Sequence, residues 1–277
     1  LFAIAYKEST GSDMRGGIMD RLVIHPNTQH IALPDIDRIS ADRPLHWLRE
    51  GFGDLMRSPL SFLLGAIFAL LGYGLVNYAW SQPHLALTLT TGFLIVAPFL
   101  AVVFYDISRE MELHKHYRLT HHLWRIIQTR GTTLGMYAVL LAFVFSVWER
   151  TSAILVGLLL KGNVADVSSF LSQALLRGEH LGFIATYALF GLVIAAAVFA
   201  LSVISLPMMM DRKVDFVTAL VTSLYVVKEN PVPMLIWAAV IAVLSFIGQA
   251  TFMIGMIIIF PLLGHATWHA YRDLVEH

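Results

Sequence analysis

The chain has 277 residues, of which 57% are hydrophobic and 14% charged, with equal numbers of basic and acidic side chains and a mean hydropathy of +0.69. Soluble domains run about 45–50% apolar and about 25% charged, so both departures point to lipid as the solvent. The balanced charge offers no field for nucleic acid, and a sequence without cysteine has no disulfides, thiolate-ligated metals or iron–sulfur clusters of its own.

Residues 1–35 read as an N-terminal cytoplasmic tail. Within it, Leu1–Ile18 lacks the apolar core of a signal peptide and reads as an uninformative tail or an assignment remnant, with Met14 and Met19 as candidate starts. Residues 36–277 read as one all-α domain, a polytopic membrane helix bundle. Apolar runs at Leu60–Tyr78, Leu85–Tyr105, Thr133–Trp148, Gly182–Met210, Met234–Ile247 and Phe252–Leu263 predict six transmembrane helices. The last two nearly abut. Fused into one helix of about 30 residues they would reach about 45 Å, too long for a bilayer, so a tight hairpin is expected between them. Sixteen Lys and Arg then fall on the side that holds both termini, and only Arg150, Lys161 and Arg177 on the other. The positive-inside rule places both termini in the cytoplasm of a bacterial-type inner membrane.

An internal repeat is legible as three like-oriented helical pairs. Each follows a basic amphipathic segment: His46-Trp47-Leu48-Arg49 to Arg57-Ser58-Pro59, His122-Leu123-Trp124-Arg125 to Arg130-Gly131, and Leu220 to Lys228-Glu229-Asn230-Pro231. These segments are expected at the cytoplasmic interface, Trp and Leu dipping into lipid while Arg and Lys meet anionic headgroups. The second helix of each pair carries a helix-breaking proline: Pro98, Pro207 and Pro261. On this alignment Trp148-Glu149-Arg150 is an interfacial aromatic followed by headgroup-level charges. Ser168–Leu176 reads as a short surface helix on the far side.

Polar clusters follow the second helix of each pair: Tyr105, Asp106, Arg109 and Glu110; Asp211 and Arg212; and His265, His269, Arg272 and Asp273. On a helix His265, Trp268, His269 and Arg272 share one face. Two His at i and i+4 can hold a metal, so His265 and His269 are the metal candidates, but further ligands are missing and the expected reading is a structural polar helix end. Buried charges must pair. Inter-unit ion pairs are therefore expected, Asp106 or Asp211 meeting Arg109, Arg212 or Arg272, each costing about 3–5 kcal/mol to break if buried. His114, His116, His121 and His122 alternate with Lys115 and Arg118 and read as solvated. No phosphate loop, nucleophile elbow or paired membrane carboxylates are present in the sequence.

The segments Ser205-Leu206-Pro207-Met208-Met209-Met210-Asp211-Arg212 and Gly264-His265-Ala266-Thr267-Trp268-His269-Ala270-Tyr271-Arg272-Asp273 together resemble an uncharacterised family of bacterial integral-membrane proteins, the domain of unknown function numbered 2189. Ile39-Ser40, Trp47-Leu48, the Gly92-Phe93 to Pro98 run and Trp237-Ala238-Ala239 are similar too, so the resemblance spans roughly Ile36 to Val275. It implies a polytopic inner-membrane protein without an established activity. Some members carry a cytochrome c oxidase subunit label. A haem–copper core needs a set of histidines in transmembrane helices, and only His265 and His269 lie near a span in suitable geometry, so a catalytic subunit is excluded. The leading expectation is a non-enzymatic accessory or scaffold component of a membrane complex, with membrane lipids and subunits of that complex as partners. No cofactor is expected, though bound lipid is. A transporter or channel for a small solute or lipid is the alternative, and a His-ligated metal or haem protein the weaker one.

Overall fold

A computed structural model describes residues 34–80, 83–113, 119–160 and 180–275. Most of the expected tail, the Ser168–Leu176 helix, His114 and His116 lie outside the described residues. The described chain is helical: α1 (Arg43–Arg57), α2 (Pro59–Trp80), α3 (Pro83–Leu100), α4 (Val102–Glu112), α5 (Leu119–Leu155, continued by a π-helical turn Val156–Leu160), α6 (Leu181–Ser202), α7 (Ser205–Asp211), α8 (Phe216–Glu229), α9 (Pro231–Ala250) and α10 (Met256–Leu274).

Proline sets two of the junctions. Ser58 (φ −120°, ψ 89°) and Asn230 (φ −123°, ψ 54°) each precede a proline and leave the helical region in similar ways, turning α1 into α2 and α8 into α9. Clash with the following ring disfavours the α conformation there. The corresponding place in the middle of the chain carries Gly131 instead, and α5 runs straight through it. Trp148 consequently does not end a helix: it is buried inside α5, edge-on to Tyr187 of α6, while Glu149 and Arg150 beside it are exposed.

The long C-terminal apolar run is divided in two. Phe252 (φ 52°) and Met253 (φ 69°) both take the left-handed conformation that non-glycine residues seldom adopt. Thr251 braces the turn, its hydroxyl accepting from the Gly255 amide and donating to the Gly248 carbonyl, both at 2.9 Å. The first turns of α9 and the last turn of α10 meet the same residue: Trp47 stacks edge-on against Trp237 and donates its indole N–H to Asp273 at 2.9 Å. α9 and α10 are thus antiparallel.

α10 is the hub, packed by α1, α2, α4, α7 and α9. Close approach depends on two glycines. A Cβ on Gly51 of α1 would lie 2.6 Å from the Ala266 amide nitrogen, and one on Gly65 of α2 would lie 2.3 Å from the Ile257 carbonyl oxygen. That carbonyl stands four residues before Pro261, so its usual helical donor is missing, and the bare face of Gly65 gives it room. Around this centre the outer surface is apolar. Leu70, Val139, Leu192 and Phe246 are 70%, 70%, 67% and 72% exposed, and four helical stretches, Pro59–Tyr78, Trp124–Leu159, Leu181–Asp211 and Pro231–Ala250, are long and apolar enough to cross a membrane. A continuous apolar exterior of this kind belongs in lipid rather than water. The other two expected spans, Leu85–Tyr105 and Phe252–Leu263, overlap α3 and α10, which are not among these four stretches.

Gly51→Ala is expected to cost about 1–3 kcal/mol by overpacking α1 against the α10 backbone. Gly53→Ala, two residues along the same helix where an added Cβ meets nothing within 4 Å, should instead gain up to about 1 kcal/mol of helix propensity. Thermal unfolding of the two variants in detergent, with shifts of opposite sign, is the check.

Candidate functional site

The polar residues collect at one end of the bundle, around the second half of α10. His265 and His269 lie one turn apart and point the same way. His265 is fully buried, as are Ser61 of α2 and Ser108 of α4. Its Nε2 is 2.9 Å from the Ser61 hydroxyl and its Nδ1 is 2.7 Å from the Ser108 hydroxyl. Ser108 donates to Asp54 of α1 at 2.7 Å, and His269 Nε2 reaches the same carboxylate oxygen at 2.9 Å. A hydroxyl has one proton to give. With Ser108 donating to Asp54, the proton between His265 and Ser108 sits on Nδ1, leaving Nε2 to accept from Ser61. The Ser61 hydroxyl also lies 2.9 Å from that of Ser58. The Asp54 carboxylate is thus reached by Ser108, with His265 behind it, and by His269 from the other side.

Burial pushes the Asp54 carboxyl up, but the hydrogen bonds from His269 and Ser108 and the nearby imidazoles hold it below the usual carboxylate range. Asp54 was not legible as a site residue in the basic, amphipathic segment that contains it. The signal was there: Trp47, Gly51, Asp54 and Leu55 fall at i, i+4, i+7 and i+8, the buried face of α1, so an acid stands on the apolar side of an amphipathic helix.

A second layer joins α4, α5, α7 and α10. Asp211, at the end of α7, accepts from the Tyr271 hydroxyl at 2.9 Å and from Arg109 Nε at 3.2 Å, with Arg272 at 3.8 Å. Arg212 Nε donates to the Tyr271 oxygen at 3.0 Å. Asp106 is met by Arg125 of α5 at 3.3 Å, and the same guanidinium reaches Glu110 at 2.8 Å. Arg125 thus turns inward to two buried acids rather than to the headgroups expected from its place in an amphipathic segment. Arg272 also lies 3.3 Å from Glu112, which accepts from the Trp268 indole at 2.9 Å. Asp273 receives a fork from Arg43 besides the Trp47 indole. Tyr105 is buried in the adjoining apolar layer with Phe104, Ile107 and Met208.

The segment before α1 is tied to the same end. Asp37 donates its amide to the Leu274 carbonyl at 3.1 Å, and the buried Asn230 side chain both accepts from the Ile39 amide and donates to the Asp37 carbonyl, each at 3.0 Å. Neither Glu112 nor Asn230 carried a motif that would have singled it out.

The three prolines lie in the packed interior. Pro207 and Pro261 are buried and Pro98 is half-buried. Four residues upstream of Pro207 the α6–α7 helix opens, and Ser223 of α8 fills the gap: its hydroxyl accepts from the Ile204 amide at 3.2 Å and donates to the Ala200 carbonyl at 2.7 Å. Insertion of a side chain into the backbone ladder is a recognised cause of such a bend. Pro261 leaves α10 unbroken, and α3 gives way to α4 three residues after Pro98.

Both ring nitrogens of His265 are engaged by hydroxyls and His269 by a carboxylate, and among the described residues no group of three or more His, Asp or Glu is placed to hold a metal ion. These hydrogen bonds and ion pairs neutralise and fix the members of the cluster.

The ion pairs differ in weight. Arg272 is 35% exposed and Glu112 34%, so Arg272→Ala should cost only about 0–1 kcal/mol, well under the value expected for a buried pair. Asp54→Ala strips a buried acceptor from two donors and should cost about 3–5 kcal/mol. Because the folded Asp54 carboxyl titrates below its ordinary value of about 3.9, its contribution is fully present above that pH and is lost as the pH falls through the lower folded value. Wild type and Asp54→Asn should therefore differ most in chemical-denaturation stability near neutrality and converge at strongly acid pH.

A family model described as a predicted integral membrane protein (DUF2189) matches residues 85–211, from the first turn of α3 to the last residue of α7. This is the family that the sequence resembles, matched over a shorter stretch than the resemblance covers. No curated protein and no solved structure matches the chain.

Proposed function

We propose that this integral membrane protein is a non-enzymatic scaffold or accessory component of a bacterial inner-membrane complex, a six-span bundle of three like-oriented helical pairs with both termini in the cytoplasm. One observation carries the reading: the polar side chains at the candidate site are consumed by one another. His265, Asp54, Ser61 and Ser108 satisfy each other and are buried, with the Phe104 ring edge-on to His265. A catalytic centre needs a reacting group within reach of substrate, and a transport path needs polar positions open to water.

The transporter reading required the three prolines to converge on a hydrated cavity. Their surroundings argue against it: the backbone opened near Pro207 is met by Ser223 and the carbonyl freed by Pro261 faces Gly65. The cavity at the polar end is walled by α4, α5 and the α7–α8 turn, and none of the three prolines lines it.

The like-oriented pairing is supported by the matching junctions at Ser58-Pro59 and Asn230-Pro231, and by a second exposed apolar stripe on α1, Leu45, Phe52 and Met56, on the side away from α10. A helix with one protein-facing and one lipid-facing stripe suits the membrane interface. Co-purification from native membranes in mild detergent tests the function: a defined set of inner-membrane subunits should accompany the tagged chain, and recovery as an unaccompanied species in every mild detergent would contradict the accessory reading.

A further inference from the structure

A cavity of about 400 Å³ opens at the polar end, between α4, α5 and the turn from α7 to α8. α5 contributes Arg125, Thr129 and Thr133 at four-residue spacing and Arg130 beside them, α4 contributes Asp106 and Arg109, and Lys213 closes the third side. Four cationic side chains thus surround the space against one carboxylate in its wall. Glu110 and Asp211 stand behind Arg125 and Arg109 and hold their guanidinium groups in position. Arg130 is fixed differently. It donates to the backbone carbonyls of Arg212 at 2.5 Å and Asp211 at 3.4 Å, and the Asp211 charge attracts it less than the Arg109 charge repels it. Arg109 and Arg125 act on it repulsively, and Lys213 is exposed at the mouth.

Pre-positioned arginines crowded around a space of ligand size favour a multiply charged oxyanion, because the planar fork matches phosphate oxygens and each added anionic charge relieves cation–cation repulsion. The position matters as well: the apolar length of α5 begins just past Thr133, so the cavity sits where a helix leaves the hydrocarbon, the level of lipid phosphates. Basic pockets between helices at that depth receive acidic headgroups.

We propose that this cavity is a binding site for a phosphate-bearing anion, held by Arg125, Arg130 and Lys213, with Thr129 and Thr133 as neutral hydrogen-bonding groups. The phosphate is carried either by an anionic phospholipid or by a soluble phosphate compound. The inference rests on the membrane reading above and not on the accessory role, so failure of co-purification leaves it standing.

The test uses the full chain in a neutral detergent. One arm titrates phosphatidylglycerol, with phosphatidylcholine as control, and the other titrates inorganic phosphate at constant ionic strength. Affinity is read from intrinsic Trp fluorescence and from thermal stabilisation. Lys213→Gln removes an exposed cation and should weaken binding about fivefold, whereas Lys228→Gln, an exposed cation on α8 outside the cavity, should leave it unchanged. Phosphatidylglycerol binding that is sensitive to Lys213→Gln, with no response to phosphate, assigns the site to a lipid headgroup; an equally sensitive response to phosphate alone assigns it to a soluble compound. Absence of binding in both arms, or equal weakening by Lys213→Gln and Lys228→Gln, overturns the proposal, the latter by showing diffuse surface attraction only.

Discussion

A polar group facing hydrocarbon has no water to bond, and this penalty organises the molecule. The helices satisfy their own backbone, but Asp54, Asp106, Glu110, His265 and the serines around them cannot be left toward lipid. They are gathered instead at one end of the bundle and bonded to each other. α10 makes this possible because it carries both kinds of surface in sequence. From Met256 to Leu263 it is an apolar rod, and from Gly264 to Asp273 it is a row of hydrogen-bonding side chains enclosed by α1, α2, α4 and α7. Its polar half is why it falls short as an apolar span by composition, and also why it occupies the centre.

The outer apolar surface and the inner polar network are two results of one partition. Lipid makes no demand for charge on the outside, so long side chains such as Leu192 and Phe246 project there. Association between helices then comes from close packing and internal hydrogen bonds rather than from burying oil. Gly51 and Gly65 let α1 and α2 approach the α10 backbone, and the resulting contact brings Asp54 and Ser61 within reach of the two histidines. Without that approach the chain of hydrogen bonds from Ser58 to Asp54 would be interrupted.

Much of the fold is legible in residue order, and the reasons for the misses are specific. Apolar runs locate the helices, and Gly248 to Thr251 announces the break between α9 and α10, because the alternative helix is too long. The pairing of Asp211 with Arg109 follows from both lying just past a proline-bearing helix. Asp54 hides because its immediate neighbours are those of a solvated basic helix, and only its angular position reveals that it faces inward. Arg125 is read as a headgroup contact because the tertiary position of Glu110, fifteen residues earlier in the chain, is invisible to periodicity. Trp148 reads as an interfacial anchor if Gly131 is taken as the counterpart of Pro59 and Pro231, yet with no proline there α5 has no reason to start afresh at Gly131 and end at Trp148.

Within the polar end, the cluster of His265, Asp54, Ser61 and Ser108 is a closed, self-satisfied clamp, apart from the cavity beside Arg130. The chain has no cysteine, so single cysteines can be placed and probed with a membrane-impermeant maleimide. Ser61→Cys and Ser108→Cys should stay unlabelled in intact bundles and react only after denaturation, while Arg57→Cys and Lys228→Cys react from one and the same side of the membrane. Labelling of Ser61→Cys or Ser108→Cys as fast as Lys228→Cys would mean that water enters the bundle there, and the clamp would have to be read as a pathway.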